Sequence, residues 1–178
     1  MVFDLVPLHT ANNLPGLSWS YFRWGLRGFI FHVFVGYVLV YFFTNWHPLW
    51  GAIGGAFPDI DSISYFIEMP HELLIHRGIT HTLFFLMMLV GVMLVLDWEM
   101  KRIGPFVIGY MSHLVIDWTV PWGIMWFWPI TDTYYEFEPI TLHIANVESF
   151  ILIGGLFLMY ITPRRWYLNY DFSNRKYL

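Results

Sequence analysis

The chain has no cysteine, and only 12% of its 178 residues are charged. The first absence excludes disulfides and thiolate metal sites, so sulfur staples nothing here. The second excludes an ordinary soluble surface, for which about 25% charged residues is usual. Hydrophobic residues make up 57% of the chain, and that surplus apolar surface has to face lipid or a partner. Positive charge is scarce as well. The net charge of −4 argues against nucleic acid as a partner. The N-terminal stretch MVFDLVPLHTANNLPG has neither the basic flank nor the clean apolar core of a cleavable signal peptide. The length suits one domain spanning 1–178, with no repeat or low-complexity segment to divide it.

What the chain has is apolar runs and rings. Four runs stand out, at 28–43, 79–96, 103–128 and 147–161, each near the ~20 residues that cross a bilayer. A weaker stretch, WGAIGGAF at 50–57, has Gly51 and Gly55 four apart, a spacing that lets helices pack closely. It reads as a short helix running back beside the first. The fold class expected is therefore an all-α polytopic transmembrane bundle of about five spans, one of them short. Trp, Tyr and Phe total 38, many at the ends of runs where an aromatic belt lies. Residues 129–146 alternate polar and aromatic side chains and hold two prolines, which suits a lid or a short hairpin at the interface. The tail 163–178 is basic and aromatic, fit for a headgroup boundary. Lys101, Arg102 and the tail cations then share one face, and the positive-inside rule makes that face cytoplasmic.

Ionisable residues in or beside apolar runs are costly, roughly 2.5–3.5 kcal/mol each at a bilayer centre. Eight stand out in this chain: His32, Asp59, Asp61, His76, Arg77, His81, His113 and Asp117. Counting along the hairpins gathers them. His32 and Asp59 lie equally far from a turn at Asn45–Trp46, and His81 and Asp117 lie equally far from one near Glu99. At ~1.5 Å per residue each pair is level in an antiparallel arrangement. His113 and Asp117 share a helix face at i, i+4. In FPDIDS the proline is expected to hold the preceding residue out of helix, so that Asp59 and Asp61 enter one cavity from a non-helical turn. Gly78 breaks HRGITH, letting His76 approach from a loop while His81 starts a helix.

Neutral imidazoles and carboxylates are the usual ligands of zinc, manganese or iron(II). His32, Asp59, Asp61, His76, His81, His113 and Asp117 exceed one tetrahedral shell. They suit one or two divalent ions, zinc foremost, with some carboxylates orienting the imidazoles. Arg77 is then a fork for a phosphate or a developing anion, and Asp61 a candidate base. Taken singly, His32 and Asp117 could equally be satisfied by hydrogen bonds between helices. His9, His47 and His71 read as surface or interface residues, and His143 lies in the lid segment.

At these motifs the sequence resembles the membrane-bound metal-dependent hydrolases of bacteria and archaea, including the LexA-regulated inner-membrane hydrolase type. The resemblance covers about residues 28–130. It rests on His32-xxx-Gly36, on Pro58-Asp59-Ile60-Asp61, on His76-Arg77-Gly78-Ile79-Thr80-His81, and on Gly109 to Asp117 with Thr119, Gly123 and Pro129. It implies several membrane helices in a prokaryotic inner membrane and a metal-dependent hydrolase. Two positions depart from the pattern: Ser62 stands where a His is frequent, and Thr82 where a Ser is frequent.

The function expected is a membrane-embedded hydrolase that uses one or two divalent metals on an ester, foremost a phosphoester of a membrane lipid. The alternative is a non-catalytic structural subunit of a larger membrane protein complex that keeps the same fold. A transporter is disfavoured by the absence of an internal repeat.

Overall fold

The computed structural model describes residues 19–65, 77–119, 123–136 and 144–162, with side chains described at 25–62, 77–119, 123–136 and 151–162. Five α-helices lie in these residues: α1 Trp19–Phe43, α2 Pro48–Ala56, α3 Leu83–Val95, α4 Met100–Trp118 and α5 Ile144–Ile161. Short 3-10 turns at Pro58–Tyr65 and Ile79–His81 join them. His76, His143 and the tail lie outside the described residues.

Each boundary has a local cause. Thr44 folds back on the Val40 carbonyl through its N–H at 3.2 Å and its hydroxyl at 2.9 Å, closing α1. His47 Nδ1 accepts the Leu49 N–H at 3.3 Å and Pro48 opens α2, the place where a missing N–H costs nothing. Thr82 Oγ1 accepts the Phe85 N–H at 3.1 Å and so caps α3. The departure at Thr82 thus keeps the hydroxyl that a serine would bring. Thr119 ends α4 by donating its N–H and hydroxyl to the Ile116 carbonyl at 3.0 and 2.7 Å.

α2 packs against both α1 and α4, and it does so backbone to backbone. A Cβ on Gly36 would collide with the Gly51 carbonyl, one on Gly109 with that same carbonyl, and one on Gly54 with the Phe106 carbonyl. Small residues permit such contact where lipid supplies no hydrophobic drive between helices. Around α4 the core closes over Phe106, Tyr110, Leu114 and Ile124, all essentially inaccessible. Outward, α1, α3 and α5 expose apolar side chains, among them Ile30, Met87, Val92, Leu94, Ile153 and Phe157.

Several expectations are corrected. The run at 79–96 becomes helical only from Leu83, because His81 ends a 3-10 turn and Thr82 caps the helix beyond it. The run at 103–128 stops at Trp118; beyond it Gly123 has φ +57°, outside helix geometry. Phe57 has right-handed helical dihedrals despite preceding a proline, since α2 runs straight into a 3-10 turn rather than a non-helical one. An isolated bridge joins Ile124 and Tyr135, which exchange N–H···O bonds of 3.1 and 3.0 Å; the rest of the expected lid segment, beyond 136, lies largely outside the described residues. The bridged segment is tied to α3, whose Leu83 N–H reaches the Trp126 carbonyl at 3.1 Å. Among the described residues one helical segment, Gly25–Phe43, is long and apolar enough to cross a membrane, with a mean hydropathy of 1.8. Leu83–Val95 and Ile151–Ile161 are shorter apolar helices.

Gly109→Ala is expected to push α2 from α4 and destabilise the fold by about 1–3 kcal/mol or more, as overpacking does. Gly91→Ala, which meets nothing within 4 Å, should be neutral or stabilising by up to about 1 kcal/mol. Tryptophan-fluorescence melting in detergent compares the two; equal melting temperatures would refute the close-contact role.

Candidate functional site

His81 is held from one side by the turns around it. Arg77 has φ +67°, an unfavourable left-handed conformation for a bulky residue. That conformation is fixed by its N–H, which donates to Asp61 Oδ2 at 3.1 Å. Thr80 Oγ1 donates to the same oxygen at 2.8 Å, and His81 Nδ1 lies 3.1 Å from it. Tyr110 on α4 donates its hydroxyl to the Thr80 carbonyl. A carboxylate only accepts, so His81 carries its proton on Nδ1 and turns Nε2 away from Asp61.

His113 is held in the same manner from α2. Its Nδ1 lies 2.7 Å from the Gly55 carbonyl, which also only accepts. Nδ1 is therefore the donor, and Nε2 faces the cavity with its lone pair. The His32 ring stacks on the His113 ring, centroids 3.7 Å apart and planes at 18°.

Three atoms converge. His81 Nε2 and His113 Nε2 are 3.2 Å apart, and they lie 3.2 and 3.4 Å from Asp117 Oδ2. That buried oxygen has no hydrogen-bond donor. Asp117 Oδ1 faces outward from this triangle, with Arg77 Nη2 at 3.3 Å and His32 Nε2 at 3.5 Å. Asp59 Oδ1 closes the open side, 3.6 Å from His113 Nε2 and 3.9 Å from His81 Nε2.

The spacing and the charge would both suit a cation. A triangle of these sides has a circumscribed radius of about 1.9 Å, so a point slightly off its plane is about 2.05 Å from all three atoms, the length of a zinc–nitrogen bond. Among the described residues of the cluster, three carboxylates (Asp59, Asp61 and Asp117) stand against one guanidinium, Arg77. Buried charge of that imbalance requires compensation. The triads His81–His113–Asp117 and His32–Asp59–His113 are both spaced to hold an ion.

A family model described as YdjM inner membrane protein matches residues 18–173. The chain belongs to the YdjM inner membrane protein family. No curated protein and no solved structure matches it. The match covers every element of the fold and all the cluster residues, so the cluster belongs to a membrane protein.

In this YdjM-family chain, the sequence-derived set His32, Asp59, Asp61, Arg77, His81, His113 and Asp117 comes together; His76 alone lies outside the described residues. Two members are placed differently from expectation. Asp61 is engaged by three donors and orients His81 instead of facing the triangle. The reason is the 3-10 turn: at three residues per turn, Asp59 and Asp61 point to different sides and so address different nitrogens of His81. Arg77 is turned onto Asp117 with 7% exposure, not open to a substrate anion. Sequence reasoning missed Thr80, Tyr110 and the Gly55 carbonyl. Thr80 lies inside HRGITH and its hydroxyl was a visible signal; a backbone carbonyl gives none.

Asp61→Ala should leave Arg77, Thr80 and His81 without their common acceptor and destabilise by about 3–5 kcal/mol, the usual cost of breaking a buried charged network. Asp59→Ala, at the more exposed carboxylate, should cost less than half of that. Melting temperatures of the two variants in detergent decide; a larger drop for Asp59→Ala would reverse the assignment.

Proposed function

We propose that this chain is a membrane-embedded metal-dependent hydrolase whose helices form a polytopic bundle, acting on an ester and foremost on a phosphoester of a membrane lipid. The observation that carries the reading is the convergence of His81 Nε2, His113 Nε2 and Asp117 Oδ2 with no donor among them. His81, His113 and Asp117 would hold a divalent cation, zinc before manganese or iron, with Asp61 and the Gly55 carbonyl fixing the two rings as second-layer partners do. When bound, such an ion supplies Lewis acidity and lowers the pKa of water. The chain's own residues do the rest. Burial of His81 and His113, with Tyr110 closing over Thr80, keeps bulk water away from behind. Asp59, with 10% side-chain exposure against 1% for Asp61 and 5% for Asp117, is the carboxylate that both substrate and cluster can reach. Its Oδ1 takes the proton as water adds to the ester, and the leaving oxygen departs with the bonding pair. The base is thus Asp59 and not Asp61.

A second reading has one observation in its favour. Arg77, the residue on which anion binding rested, is spent on Asp117. That suits a non-catalytic subunit of a membrane complex, in which the cluster is a structural centre.

Purified full-length protein should hold stoichiometric metal by elemental analysis, and His81→Ala and His113→Ala should lose it. Asp59→Asn should keep the metal and reduce lipid-ester hydrolysis about 10²–10⁴-fold, the range for a lost general base. Metal retained in both histidine variants would end the proposal, and metal without any hydrolysis would favour the structural subunit.

Binding should be linked to protons. An imidazole ligand must offer an unprotonated nitrogen, so an ion would compete with protons for the rings, and the apparent affinity should fall as the pH drops. Calorimetry in buffers of different ionisation enthalpy measures the protons displaced, and a pH-independent affinity would contradict it.

A further inference from the structure

We infer that the cluster seats one metal ion and not a pair, and that His32 is a positioning residue and not a ligand. This rests on the metal-binding reading of the cluster and deepens it.

The two triads share His113. An imidazole nitrogen has one in-plane lone pair, so a histidine joins two ions only by offering both nitrogens. His113 offers one, because its Nδ1 donates to the Gly55 carbonyl at 2.7 Å. The triads are therefore alternatives, and a second ion would be left with His32 and Asp59.

Asp117 does not bridge two ions either. Carboxylates commonly join paired metals by giving one oxygen to each, but Asp117 Oδ1 is held by Arg77 Nη2 at 3.3 Å and His32 Nε2 at 3.5 Å. The guanidinium stands where a second cation would have to stand. Charge agrees: one dication balances three carboxylates and Arg77 among the described residues, while a second would leave a buried excess of positive charge.

Between the two seats, the first contains Asp117 Oδ2, the buried carboxylate oxygen that lacks a donor. The His81–His113–Asp117 triangle has edges of 3.2, 3.2 and 3.4 Å, whereas Asp59 Oδ1 is 3.6 Å from His113 Nε2. His32 then acts through others. It stacks on the His113 ring and faces the outer oxygen of Asp117, holding both in register.

The test uses the full chain in detergent, loaded with zinc or cobalt(II). Elemental analysis should give one ion per chain in the wild type and in His32→Phe, which keeps a ring for stacking. Zinc affinity in His32→Phe should fall about 10–100-fold, as it does when an orienting partner is lost, with the ratio still one. X-ray absorption of the cobalt-loaded wild type should show no metal–metal distance below about 4 Å, the span of paired sites. This readout needs no variant and stands even if His32→Phe fails to fold. Two ions per chain, or a short metal–metal vector, overturns the inference and leaves the hydrolase proposal intact. A ratio of one in the wild type that drops to zero in His32→Phe overturns the role given to His32. No metal in the wild type sinks the metal-binding reading itself.

Discussion

The hydrogen bond from His113 Nδ1 to the Gly55 carbonyl, 2.7 Å long, is the constraint on which the rest of the site depends. It is possible only because α2 touches α1 and α4 without side chains between them. Gly51 lies against Gly36 and Gly109, and Gly55 against the His32 carbonyl. Helix packing at backbone distance presents a peptide carbonyl to a buried imidazole, and that carbonyl fixes the tautomer. The free lone pair of Nε2 is thus a product of packing.

The same logic operates on His81 from the other side, with Asp61 in place of the carbonyl. One oxygen of Asp61 organises a strained Arg77, the Thr80 hydroxyl and the His81 ring. Both rings therefore present unprotonated Nε2 atoms to an oxygen that has no donor. In a low-dielectric interior this arrangement is unfavourable by itself. A cation at the centre would offset that cost.

Much of the site was legible in the sequence. Polar residues in and beside apolar runs that could not tolerate them dispersed pointed to a cluster, and His32, Asp59, Asp61, Arg77, His81, His113 and Asp117 do come together. His113 and Asp117, four apart on α4, meet Oδ2 to Nε2 at 3.4 Å as helix geometry requires. WGAIGGAF reads as a close-packing short helix, and α2 is one. What failed was local. The 3-10 conformation of PDIDSISY separated Asp59 from Asp61, and no residue in that stretch distinguishes a three-residue turn from an irregular one. The ends of α3 and α4 were misplaced because apolar composition continues past a Thr cap that hydropathy does not register.

By itself the sequence determined that the chain needs an apolar partner phase and that its polar residues must cluster, because isolated charges there cost too much. It also determined which helices could approach closely, because glycine alone lacks the side chain that keeps backbones apart. Only the tertiary structure decided what each polar residue does. Whether an aspartate faces an imidazole's Nδ1 or its Nε2, and whether a guanidinium meets substrate or Asp117, depends on directions that differ by one residue in a turn. Such directions are set by contacts between segments far apart in the chain, and the order of residues encodes them only through the fold.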